Sequence, residues 1–123
     1  MKAARTGFWI ATGMLALMML SSVAMYIFTY PEVANAFRAY GYPAYLPYIL
    51  AVAKTLGILA IAIGRFPTLK EWAYAGFFFD FTLAAIAHWT AGDGGTAFPL
   101  LAMALLLTSY FLDRRASREN GLK

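Results

Sequence analysis

The chain has 123 residues, of which 62% are hydrophobic and only 13% charged, with no cysteine and a formal net charge of +4. A water-soluble domain carries roughly 25% charged residues, so this composition excludes a soluble globular fold, and a chain this short is expected to be one domain, residues 1–123. Without cysteine there is no disulfide, thiolate metal site, Cys-x-x-Cys redox pair or haem attachment, and no basic stripe interleaved with aromatic residues marks a nucleic-acid binder.

Four apolar stretches approach the ~20 residues needed to cross a bilayer core. In lipid a span must satisfy its own backbone hydrogen bonds, so each is expected to be a helix. The first covers about 7–30 and stops before Pro31. Lys2, Arg5 and the apolar run to Ser22-Val23-Ala24 have the outline of a signal peptide, but the run continues through Met25, Tyr26, Ile27 and Phe28, which favours a retained span. The connection from Glu32 to Ala44 has room for a short interfacial helix and ends on Gly41-Tyr42-Pro43. The second span covers about 45–64 and is closed by Gly64-Arg65-Phe66-Pro67. Thr68 and Glu71 have capping-box spacing ahead of the third span, about 72–89. Gly92, Asp93, Gly94 and Gly95 form a flexible tip in which Asp93 does turn chemistry. The fourth span covers about 97–112, and the charged segment 113–123 reads as a partly frayed extension.

Charge sets the orientation. With the N-terminus inside, the inner ends hold Lys2, Arg5, Arg65, Lys70, Arg114, Arg115, Arg118 and Lys123, whereas the outer loops hold only Arg38. Tyr30, Tyr40, Tyr42, Tyr45 and Tyr48 fall near the outer interface and Trp72 and Tyr74 near the inner one, the depth at which amphipathic rings are stable. The expected fold is an all-α, integral membrane four-helix bundle, multi-pass, with both termini cytoplasmic.

Two charges lie inside the spans, and each costs roughly 2.5–3.5 kcal/mol at the centre of a bilayer. Lys54 is about ten residues from the inner end of the second span and Asp80 about nine from that of the third, so at ~1.5 Å per residue both lie near the midplane. Neighbouring antiparallel helices would bring them together as an ion pair. That pair either lines a polar core for a ligand or proton, or fixes helix register. Gly76, Asp80, Ala84 and His88 recur at steps of four and are expected to share an inward face. His88, the one histidine, is either a further polar group of the site or an interfacial residue, and it cannot build a metal site alone. Glu32 is either a solvated loop carboxylate or one wall of an outward-opening pocket. Ala53-x-x-x-Gly57 and Ala60-x-x-x-Gly64 permit close helix approach. The candidate ligand-binding residues are therefore Lys54, Asp80, His88 and Glu32, with no catalytic or metal-binding set.

Lys54-Thr55-Leu56-Gly57, the run Pro67-Thr68-Leu69-Lys70-Glu71-Trp72-Ala73-Tyr74-Ala75-Gly76-Phe77, Ala87-His88 and Gly41-Tyr42-Pro43-Ala44-Tyr45-Leu46 resemble the DoxX-like family over about residues 8–112. The resemblance implies a bacterial four-helix protein of the cell inner membrane. It also implies a redox setting, since the family name comes from a membrane subunit associated with a thiosulfate:quinone oxidoreductase, and some relatives are linked to envelope redox-stress complexes. Distant four-helix relatives include sterol isomerases and sterol-binding receptors. No catalytic residue carries over position by position.

Three functions follow. The first is a non-catalytic membrane subunit that binds a quinone or lipid-like molecule without a covalent cofactor, docks a membrane or redox protein partner, or forms a homo-oligomer. The second is a small proton-coupled transporter, which would need Asp80 because the first span carries no acid. The third is a sterol or isoprenoid isomerase using Asp80 or Glu32 as acid/base, a role that pairing with a cation would oppose.

Overall fold

The computed structural model describes residues 2–92 and 94–121; Asp93 and Lys123 lie outside the described residues. The described chain is all helical: α1 Lys2–Phe28, α2 Tyr30–Ala39, α3 Leu46–Ile63, α4 Pro67–Ala91 and α5 Ala97–Gly121. The four long helices correspond to the four apolar stretches. The short α2 fills the connection where an interfacial helix was expected, although it begins earlier, at Tyr30. Thr29 leaves helical geometry between α1 and α2 (φ −120°, ψ 38°), and Pro31 then occupies the first turn of α2, where its missing N–H removes no hydrogen bond.

Three helices are long and apolar enough to cross a membrane, Ala3–Phe28, Leu46–Ile63 and Ala97–Arg118. Helix α4 has the length, at 25 residues, but is not among them. Lys70, Glu71 and Asp80 and its tyrosine and tryptophan lower its hydropathy. It also starts at Pro67 rather than Trp72. Phe66 is its N-cap and makes no side-chain cap bond, so Thr68 lies inside the first turn and the expected capping box does not form. Proline at N1 starts the helix instead. At the preceding end, α3 closes on Gly64, whose φ of 66° is the left-handed C-cap conformation that glycine adopts without strain.

Helix α1 packs against α3 and α5, and α4 packs against the same two; among the described residues the backbones of α1 and α4, and those of α3 and α5, do not come close. The core is built from Phe8, Leu15 and Met19 of α1, Ile58 and Ile61 of α3, Tyr74, Phe77 and Phe81 of α4, and Ala102 and Leu106 of α5. The outer surface is apolar: Leu17, Leu56, Trp72, Phe79 and Phe111 are all exposed. Side chains of this size facing outward on every long helix are what a hydrocarbon surrounding accepts and water does not. Gly57 serves a close approach, because a Cβ there would lie 2.7 Å from the Phe77 ring. The neighbour it admits is an aromatic side chain rather than a helix backbone.

The charged end differs from expectation in one respect. The segment after Leu112 is a continuation of α5, helical to Gly121. Its first residue, Asp113, is buried and accepts from Arg5 Nη1 of α1 at 3.0 Å and from Lys70 Nζ of α4 at 2.8 Å. Two cations on two other helices hold the carboxylate, so the helix does not fray there. Tyr74, near the same end of the bundle, is buried between the helices.

Candidate functional site

Lys54 stands on the face of α3 that meets α1. On α1, Ser22 and Tyr26 are four residues apart and therefore neighbours on one helix face. The Lys54 ammonium donates to Ser22 Oγ at 2.9 Å and to Tyr26 OH at 3.0 Å, and it lies 4.5 Å from the centroid of the Tyr26 ring. Its side chain is 8% exposed. Two hydroxyls and an aromatic face thus replace much of the water that a lysine gives up on burial.

Asp80 approaches from α4, with Oδ2 4.0 Å from Lys54 Nζ. The expected pair forms, but at a distance that is ionic rather than hydrogen-bonded. Among the described residues no donor lies within hydrogen-bond reach of the Asp80 carboxylate, and its side chain is 22% exposed. The reason lies in the helix register. Tyr74, Phe77 and Phe81 take the buried face of α4, which leaves Asp80 on its shoulder. The Gly76, Asp80, Ala84 and His88 stripe consequently does not face inward as the step of four suggests. Gly76 is exposed and the other three are half-buried. On α4, bulky aromatic rings rather than small and ionisable side chains take the inward face.

That shoulder borders a groove between α3 and α4 of roughly 570 Å³, lined by Leu50, Lys54, Gly57, Trp72, Phe77 and Asp80 among others. Its remaining walls, from Leu56 and Leu59 to Ile63, Phe66 and Leu69, are apolar. The volume falls within the ~300–1,000 Å³ of small-molecule sites, and a long apolar wall with few polar groups at one place is their usual composition.

The other two candidates lie elsewhere. His88 Nδ1 is 3.1 Å from Tyr40 OH, with the rings edge to face. It is eight residues, or about 12 Å, along α4 from Asp80. Glu32 is exposed in the first turn of α2 and makes no contact with the Lys54–Asp80 pair. A second polar system escapes sequence reasoning altogether. Thr12 Oγ1, Ser109 Oγ and Tyr74 OH form a buried chain with links of 2.6 and 2.7 Å, one layer inside the Arg5–Asp113–Lys70 cluster. At the exposed rim, Arg114 and Tyr110 meet Glu71.

A family model described as the DoxX-like family matches residues 10–109. The chain belongs to the DoxX-like family. The match spans every residue of the α3–α4 groove and the Lys54–Asp80 pair, while Arg5 and Asp113 fall just outside it. Membership and the three apolar helices together make this DoxX-like chain an integral membrane protein. No curated protein and no solved structure matches it.

Proposed function

We propose that the chain is a non-catalytic membrane subunit that holds a quinone or a lipid-like molecule in the α3–α4 groove. It sits in a bacterial inner membrane as a four-span bundle with both termini cytoplasmic, and it serves a redox partner protein. The observation that carries this reading is the groove itself: an apolar channel of roughly 570 Å³ with one ion pair on its wall. Its outer lips, Leu56 and Trp72, are exposed to the surroundings, so the channel is open to lipid. The orientation rests on the excess of arginine and lysine at the end where α1 starts and α5 finishes.

Native mass spectrometry from a mild detergent tests the reading. The expected result is a retained quinone or lipid in the intact protein. Replacing Gly76, which has open space around it, with leucine would fill the groove and should remove the adduct without unfolding the chain. An adduct retained equally by Gly76→Leu would place the ligand elsewhere.

A further inference from the structure

Resting on the groove reading above, we infer that the site selects a head group that donates a hydrogen bond, and that its occupant is a quinol rather than a quinone. The more exposed unfilled valence at the wall of the groove is an acceptor. An ammonium has three N–H donors, and Lys54 directs two of them away from the groove, to Ser22 Oγ at 2.9 Å and Tyr26 OH at 3.0 Å. The third points to no partner nearer than Asp80 Oδ2 at 4.0 Å. Lys54 is also the more buried of the two, with 8% of its side chain exposed against 22% for Asp80. A ligand in the groove therefore meets the carboxylate first.

An ionised carboxylate accepts only, with two oxygens and about four lone-pair sites. Asp80 has none of them filled by a protein donor among the described residues. Leaving a buried polar group unsatisfied is costly, and a charged acceptor gains more from a donor than a neutral one. Acyl chains offer no donor. A quinone presents only carbonyl oxygens, which a carboxylate repels. The corresponding quinol presents two O–H groups on the same ring. Trp72, Phe77 and Phe66 line the same groove and suit a flat ring followed by an apolar tail.

The test uses the full chain in lipid nanodiscs under argon, with empty nanodiscs as the blank. Decyl-benzoquinone and its two-electron-reduced hydroquinone, which share ring and tail, are titrated by calorimetry. The hydroquinone is expected to bind at least about tenfold tighter, the factor that one hydrogen bond to a charged acceptor supplies. In Asp80→Asn the amide can donate as well as accept, so the preference should fall to within about threefold. Equal affinities for the two ligands, or tighter binding of the quinone, would overturn the donor-head inference and leave the groove reading standing. No saturable heat with either ligand would overturn the groove reading and this inference with it.

Discussion

Ser109 is fully buried and joins two hydroxyls that have no other partner among the described residues, Thr12 at 2.6 Å and Tyr74 at 2.7 Å. Removing the middle of such a chain strands both ends, whereas removing one end leaves the other bond intact. Ser109→Ala is therefore expected to cost about 2–3 kcal/mol and Thr12→Val or Tyr74→Phe about 1 kcal/mol each, read from denaturation in detergent micelles. Equal losses in all three variants would contradict the hub arrangement. Hydroxyl groups like these carry no signal in a single sequence, since serine and threonine are common in helices and the partners are 97 and 35 positions apart. Lys54 and Asp80 were legible for the opposite reason: a full charge in an apolar helix demands an explanation wherever it falls. What the sequence could not disclose was which of the two faces the groove, because that depends on the aromatic side chains beside Asp80.

At the scale of elements, hydropathy marked the helices well and their ends less well. Helix α5 shows why. A run of arginines after Leu112 looks like a solvated tail, yet Asp113 closes a three-helix tie with Arg5 and Lys70 at 3.0 and 2.8 Å. The pairing is across the bundle, so a reading along the chain does not see it. Asp113→Asn keeps the shape of the side chain and removes its charge. Amide hydrogen exchange in residues 113–121 of that variant is expected to rise at least about tenfold, equivalent to losing about 1.4 kcal/mol of local protection, with α3 unchanged. A rise spread evenly over all helices would mean that the tie supports the whole bundle instead of the last turns. The α4 boundary has the same lesson at its other end, where Pro67 starts the helix and no side chain caps it.

For the whole molecule, the number of long helices was readable from apolar length, but their neighbours were not. Nothing in the periodicity states that α1 sits between α3 and α5 or that α4 closes the ring from the far side; that order emerges from Phe8, Met19, Phe77 and Leu106 meeting in one core. The proposed topology can be examined directly because the chain has no native cysteine. Single cysteines at Arg38 and Arg118, both exposed, should be labelled from opposite sides of the membrane by an impermeant maleimide: Arg38→Cys in intact spheroplasts and Arg118→Cys only in inverted vesicles. Labelling of both from one side would rule out an odd number of crossings between them, and with it the proposed three.

The lips of the α3–α4 groove have one more implication. Leu56, Leu59, Ile63 and Trp72 are all exposed around it, so under the proposed function a molecule already dissolved in the bilayer reaches the groove sideways, by two-dimensional diffusion within the leaflet. Occupancy then tracks the mole fraction of that molecule among the lipids, not its concentration in either aqueous compartment, and exchange continues undisturbed when both compartments are washed.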